Sequence, residues 1–368
     1  MVKTIIVERL ITDSDIKDLE GTWIDESFIK FPIINEDTDI YKKDGDNIVL
    51  LAKFRKNVIP EELIQLGWEC YKDLAKPSRG RGASAGPIDK NSQYWKKRNI
   101  NKTNKWSTSY INKDGKQSRM KVNNQVASNP IGYYEASNNF SKLPCRLTHF
   151  TRTNFEKYSK GLPFIQKIDE LFKELVPDKH QLQLERSNKQ PLFKIPNTSF
   201  STITINRNFR TALHLDANDF KGGFGNLTVI EYGYYSGGYT VFPQYGIGIN
   251  IRSHDFCAMD VHEWHSNTPF YETEEDKLKN SKLPYMFTDN HEVGTAGIYE
   301  KYTRLSFVCY LREKIINCET NDIDNRFLTK SGHSKIDTGI HECIYDCGFT
   351  GTYNDVEKHE LTCKNKVH

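Results

Sequence analysis

The sequence predicts an α+β protein that is mainly β, with a jelly-roll or sandwich core, supporting helices and a small separate unit at its end. Three observations predict it. Short apolar or alternating runs separated by turn signals fill residues 202–311. A helical pattern precedes them, with Phe164, Ile165, Ile168, Leu171, Phe172 and Leu175 on one face between Pro163 and Pro177. Three of the eight cysteines, Cys343, Cys347 and Cys363, crowd together near the end.

Residues 1–75 read as an N-terminal α/β support region, in which Ile48–Phe54 is a buried strand and Pro60–Leu74 a helix with Pro at its start. The core spans 122–330. After the helix, Thr202–Ile205 alternates as a strand, and Asn226–Ile230 follows a glycine-rich turn. Tyr239–Phe242, the face made by Ile247, Ile249 and Ile251, and Phe256–Met259 come next. Leu305–Leu311 closes the series, with Leu305, Phe307, Cys309 and Leu311 on one side. One helix beside many short strands fits two packed sheets with helical support. Residues 271–302 read as an acidic, irregular insertion, and 340–368 as the separate unit.

Composition narrows the class. The chain has 368 residues, 37% hydrophobic and 12% aromatic, which excludes a wholly disordered polymer. No run approaches the roughly 18 apolar residues of a membrane helix. Met1–Leu10 carries charges where a secretory signal is apolar. These features predict a soluble, intracellular protein with no membrane partner, whose cysteines are reduced thiols or metal ligands and not disulfides. The net charge of +3 hides a split. Residues 76–121 hold thirteen Lys and Arg against Asp89 and Asp114, so that segment is +11 and the remainder −8. Tyr94, Trp95, Trp106 and Tyr110 are interleaved with the cations. Trp95, Lys96, Lys97 and Arg98 are therefore candidate nucleic-acid contacts, with cations tracking phosphates and aromatics stacking on bases. The alternative is a solvated loop whose aromatics dock on the core. Within it, Arg79–Pro87 (RGRGASAGP) reads as loop.

His214-Leu215-Asp216 puts a His and a carboxylate on one face if the segment is extended. Chance alone yields on the order of one such triplet in a chain like this. Its setting raises it: a strand leads in, a glycine-rich turn leads out, and His262-Glu263-Trp264-His265 follows a later strand. Two His and one carboxylate on one side of a metal make the non-haem Fe(II) oxygenase site. Arg304 and Ser306 share a face of the last strand, where a guanidinium can grip the far carboxylate of 2-oxoglutarate and a hydroxyl can support it. His262 competes with His265 for the second imidazole, and Arg252 and Arg312 with Arg304 for the clamp.

The ordered motifs His214-Leu215-Asp216, Gly237–Gly246 (GGYTVFPQYG), His265–Pro269 (HSNTP) and Arg304-Leu305-Ser306 resemble the TET/base-J-binding-protein family over about residues 45–315. Arg79–Pro87, Arg146–Arg152 and Thr202–His214 resemble its viral, phage and algal members. The resemblance implies a double-stranded β-helix, iron ligands at His214, Asp216 and His265 (the last favoured by its spacing to Pro269), and a 2-oxoglutarate clamp at Arg304. It places Asn218 and Asp219 near a target base. It further implies an Fe(II)/2-oxoglutarate dioxygenase that hydroxylates, through a ferryl intermediate, the 5-methyl group of thymine or 5-methylcytosine in DNA, the base being flipped from the stack. RNA is a further possible substrate. A protein side-chain hydroxylase would share the same four residues, and a non-catalytic nucleic-acid-binding module would share the fold.

Cys343, Cys347, His359 and Cys363 have the spacing of a ββα zinc finger with Cys as its last ligand. His359 and Cys363 lie at i, i+4, one face of a helix over 354–362, with Phe349 and Leu361 as a small core. Four ligands imply a structural Zn(II). One finger reads about three base pairs, and it equally suits a protein partner.

Overall fold

The structure, a computed structural model, describes residues 2–74, 77–78, 80–100, 105–136, 143–283 and 302–319, and beyond these 341–342, 347–351, 359 and 363–364. Strands β1 (Lys3–Val7), β2 (Thr38–Asp44) and β3 (Asn47–Arg55) come first, followed by helix α1 (Glu61–Tyr71). The short β4 (Pro77–Ser78) lies at the start of the basic segment and β5 (Val126–Tyr134) follows it, and helices α2 (Leu162–Leu175) and α3 (Pro177–Asn188) come next. Seven strands complete the core: β6 (Thr202–Arg207), β7 (Gly225–Tyr232), β8 (Thr240–Phe242), β9 (Ile247–Ile249), β10 (Phe256–Met259), β11 (Ser266–Asn267) and β12 (Thr303–Tyr310).

Two sheets face each other. The larger runs β1-β2-β3-β10-β7-β12-β6-β5-β4, with Arg146–Leu147 beside β5, and the smaller runs β9-β8-β11. Apart from the parallel β1–β2 pair, the ladders of the larger sheet are antiparallel. This is the jelly-roll arrangement the strand spacing predicts, with β1–β3 of the N-terminal region extending the same sheet.

Period-two alternation decides which face does what. On β12, Leu305, Phe307 and Cys309 join the apolar core under the helices. Arg304, Ser306, Val308 and Tyr310 point the other way and line a cavity between the sheets. On β6, Ile203 and Ile205 face the helices, while Thr204 and Asn206 face the cavity. Helix α2 covers the outer face with Phe164, Ile165, Ile168, Leu171 and Phe172, all buried. Full burial of each such side chain is worth about 1.5–3 kcal/mol, so this helix holds the sheet that carries the cavity.

Four sequence expectations need correction. The sequence pattern shows one supporting helix beside the strands, but α3 and two short helices, His149–Thr153 and Phe155–Lys160, join it. Helix α3 escaped the pattern because the residues it buries are polar: His180, Gln183 and Ser187. The glycine-rich loop contains a 3₁₀ turn, Gly82–Ala85. Insertion 271–302 begins with an ordered helix, Glu274–Asn280, started by a Thr273/Asp276 capping box; residues 284–301 lie outside the described residues. Finally, Cys145 and Cys318, expected to be thiols, are joined in a disulfide across 173 residues. They meet because both fall in one small apolar cluster with Phe193, Leu311 and Ile315. Among the described residues no helix is long and apolar enough to cross a membrane.

Candidate active site

The cavity, about 510 Å³, is lined by His214, Asp216, His265, Arg304 and Ser306, by Asn218 and Asp219, and by Gly80–Ser84 of the basic segment. His214 and His265 come together through their backbones: each N–H donates to the other's carbonyl at 3.1 Å, an isolated antiparallel bridge that ties the end of the larger sheet to the start of β11. Within His214-Leu215-Asp216 the strand pairing is that one bridge at His214, and Asp216 is placed by its N–H donating to the Val261 carbonyl at 3.1 Å.

The two imidazoles are oriented alike. His214 Nδ1 lies 2.8 Å from the Ala212 carbonyl and His265 Nδ1 lies 2.9 Å from the Glu263 carbonyl. A carbonyl only accepts, so each Nδ1 carries the proton and each Nε2 presents its lone pair inward. His214 Nε2 is 3.6 Å from Asp216 Oδ1, and His265 Nε2 is 3.6 Å from Asp216 Oδ2. The three ligand atoms lie within 4.8 Å of one another. Burial, then the neighbouring His265, lowers the His214 pKa to about 4. Burial works against the Asp216 carboxylate, but His265 and His214 outweigh it and hold its pKa at about 2. For His265, burial is outweighed by the Asp216 carboxylate and the pKa rises. Carboxylate and imidazoles thus converge on one point, a donor set that suits Fe(II).

His262 is not part of the cluster. Its Nδ1 sits 3.6 Å from Asp260 and its Nε2 is 3.2 Å from the Asp219 carbonyl. The clamp candidates separate as clearly. Arg312 donates to both Glu135 oxygens at 2.8–2.9 Å and to Thr202. Arg252 donates to Asn250, Glu231 and the Gly237 carbonyl. Arg304, only 3% exposed, has Nε and Nη2 buried with no hydrogen-bond partner among the described residues. A buried guanidinium left unsatisfied is costly, and a dicarboxylate whose far end reached it would remove that cost. The residues present therefore fit Fe(II) and 2-oxoglutarate. The Phe270 ring lies 5.4 Å below the guanidinium, and Asn206 Nδ2 donates to Ser306 Oγ at 3.3 Å.

The basic segment contributes to this site differently from the expectation. Trp95 is 2% exposed, so it cannot serve as an open stacking platform for a base. Its Nε1 donates to Asn124 Oδ1 at 2.7 Å. Asn124 Nδ2 in turn reaches the carbonyls of Ala85, Gly86 and Pro87 at 2.9–3.2 Å, and Asn123 Oδ1 accepts from Gly82 N–H at 3.3 Å. This asparagine pair, which no sequence motif advertised, fixes the glycine-rich loop as a wall of the cavity. Lys96 and Lys97 are exposed, and Arg98 stacks on Tyr94 at 3.5 Å. Asn218 and Asp219 do reach the cavity, and Asp219 Oδ2 is buried without a hydrogen-bond partner.

At the C-terminus, Cys347, His359 and Cys363 present ligand atoms within 4.8 Å of one another. Cys347 Sγ is 2.9 Å from His359 Nε2, and the Phe349 ring stacks on His359 at 4.2 Å. Cys343, Leu361 and most of the expected helix over 354–362 lie outside the described residues.

Comparison with known proteins agrees with this geometry. Residues 129–313, just over half of the chain, match the Tet_JBP family model, described as the oxygenase domain of the 2OGFeDO superfamily. The chain is 32% identical over 212 residues to the bifunctional helicase and thymine dioxygenase JBP2 of Trypanosoma brucei brucei, covering 56% of this chain and 17% of that protein. It is 31% identical over 173 residues to the thymine dioxygenase JBP1 of the same organism, covering 47% of this chain and 20% of that one. The chain thus spans about a fifth or less of the length of these relatives. A solved structure of NgTET1 in complex with 5mC DNA aligns over 87% of this chain with a TM-score of 0.46 and 10% identity, too loose a likeness to argue from.

Proposed function

This chain belongs to the Tet_JBP family of 2OGFeDO-superfamily oxygenase domains, and on that premise we propose that it is an Fe(II)/2-oxoglutarate-dependent dioxygenase that hydroxylates the 5-methyl group of a pyrimidine in DNA. The observation that carries the reading is the unsatisfied Arg304 guanidinium on the same cavity as a His–Asp–His cluster. In this reading His214, Asp216 and His265 hold iron, and Arg304 with Ser306 holds the distal carboxylate of 2-oxoglutarate. Iron with 2-oxoglutarate and O₂ supplies an oxidant that converts C–H to C–OH while 2-oxoglutarate becomes succinate and CO₂.

The residues of the chain supply position. Arg304 orients the cosubstrate so that its other end meets the ligand cluster, and the Ala212 and Glu263 carbonyls keep both imidazoles in the ligating tautomer. A base inside a duplex is out of reach, so the target nucleotide has to be extruded into the cavity. DNA as substrate is supported by the thymine dioxygenase relatives, by the +11 segment and by the cavity wall that segment supplies. Asn218 and Asp219, which line the cavity, would meet the entering base, and Lys96, Lys97 and Arg98 would grip the strand outside. The domain plan has three working parts: an oxygenase core carrying residues 1–75 as sheet edge, the basic segment 76–121, and a zinc unit in which Cys343 joins Cys347, His359 and Cys363.

Incubating the protein with Fe(II), 2-oxoglutarate, ascorbate and methylated or unmodified DNA, then digesting to nucleosides for mass spectrometry, should reveal a hydroxymethyl pyrimidine. Succinate release with a peptide library and no oxidised base from any nucleic acid would overturn the substrate. A His214→Ala variant that still turned over would overturn the iron assignment.

A further inference from the structure

One cavity residue has no role in that reading. β12 places Arg304 and Tyr310 on one face, about 20 Å apart along an extended strand, and both line the cavity. Arg304 marks one end. At the other stand Tyr310, Arg312 and, from the facing loop, Arg81. Tyr134 lies beside them with two guanidinium groups over its ring, Arg146 at 5.0 Å and Arg312 at 5.1 Å. Arg312 is committed to Glu135, and Arg146 donates to the Pro144 carbonyl. The Arg81 guanidinium makes no hydrogen bond or ion pair to any described residue.

We propose that Arg81 is a phosphodiester-binding residue that seats the 5′-phosphate of the extruded nucleotide at the cavity end opposite Arg304. The inference rests on the reading of the chain as a DNA-base oxygenase. Three arguments carry it. First, the loop is held in place: Ser84 Oγ donates to the Arg81 carbonyl at 2.7 Å, Gly82 is held by Asn123, and the three following carbonyls by Asn124. The backbone that carries Arg81 is therefore held at the cavity wall, from which its guanidinium fork can reach a phosphate and bind it bidentately. Second, Arg81, Arg146 and Arg312 gather there; Glu135 is engaged by Arg312, burial pushes the Asp219 pKa up, and Asp216, the carboxylate that acts on Arg81, faces the two imidazoles, so the partly buried Arg81 guanidinium has no carboxylate of its own among the described residues. Burial lowers the Arg81 pKa, and an anion docked against it would restore the balance. Third, in an anti pyrimidine nucleotide the C5 edge is the edge nearest its own 5′-phosphate. A 5-methyl group directed at the His214–Asp216–His265 cluster brings that phosphate close by, on the side away from Arg304.

The test is the salt dependence of binding. A fluorescein-labelled duplex is titrated with full-length protein, Mn(II)-loaded and with 2-oxoglutarate, at several salt concentrations by fluorescence anisotropy. Each phosphate contact contributes about 0.9 to the slope of log K against log salt. Arg81→Gln should lower the magnitude of that slope by about 1 and weaken binding about tenfold, whereas Arg81→Lys, which keeps the charge but not the fork, should retain the slope. Thermal melting confirms that each variant is folded. A slope unchanged in Arg81→Gln overturns the proposal, as does weakened 2-oxoglutarate affinity without a change in slope, which would put Arg81 on the cosubstrate instead. Wild-type protein that bound no duplex would overturn the broader substrate reading, a result distinct from both.

Discussion

His214, Asp216 and His265 meet because two sheets and a helix layer hold them there, whereas around Cys347, His359 and Cys363 the described residues supply Phe349 as the apolar neighbour. The first cluster draws its residues from loops either side of β7–β10, and its backbone bridge is set by ladders that a buried apolar core supports. The second draws on a short stretch of chain, with one cysteine and two partly buried neighbours as its apolar cluster. A frame of the first kind exists before any metal arrives, so its ligands can afford to leave coordination positions open for cosubstrate. A unit as small as the proposed zinc unit would obtain its stability from the metal itself, which favours a closed, four-ligand site.

The largest expected effect breaks the comparison if it is wrong. Chelation should unfold the terminal unit, since metal binding to such sites is worth about 10–16 kcal/mol, while the cooperative unfolding of the core stays put. Hydrogen exchange followed by mass spectrometry separates the two, and a core transition that moved with the terminal unit would show that they are not independent. Next in size is the frame itself. Phe307 is fully buried, edge-on to Tyr71 at 5.9 Å and to Phe164 at 5.0 Å. Phe307→Ala should cost about 3–5 kcal/mol in urea unfolding, and it should lower iron affinity only through loss of folded protein.

A smaller effect concerns the turn that presents His265. Asp260 is paired with Lys42 at 3.2 Å and lies 3.6 Å from His262. Burial opposes its charge, yet His262 and Lys42 prevail and hold its pKa at about 2. Because that value lies below the usual carboxylate range, the pairing stabilises the fold above about pH 4 and is lost as pH falls towards 2. The difference amounts to roughly 2 kcal/mol, so Asp260→Asn should flatten the acid limb of the stability curve over that window. The smallest effect is Trp95→Phe, which keeps the ring and removes the donor to Asn124. A loss of about 1 kcal/mol is expected, with faster hydrogen exchange confined to the loop around Gly82–Ala85 and no change at Arg304.

Much of the frame was legible beforehand. The six core strands read from the sequence appear within a residue or two of their predicted places, while β5 and β11 went unread, and β12 shows its two faces in its own letters. The site residues were legible as types. What stayed hidden were polar contacts with no local pattern. The Trp95–Asn124 hydrogen bond and the buried polar face of α3 depend on partners far along the chain, and so does the Cys145–Cys318 disulfide. Trp95 was misread for the same reason: an aromatic among cations looks like a stacking platform until a distant carboxamide claims its N–H.

By itself, the amino-acid order located six core strands and helix α2, showed which strand faces are apolar, and set out a His-x-Asp and a later His among them. Periodicity and turn chemistry are local, so they can be read from neighbouring residues. Only the tertiary structure brings His265, and not His262, together with His214 and Asp216, and leaves Arg304 Nε and Nη2, unlike Arg252 and Arg312, without a partner among the described residues. Those choices depend on which side chain finds a partner across the cavity and which is left without one, and that is a property of the packed molecule.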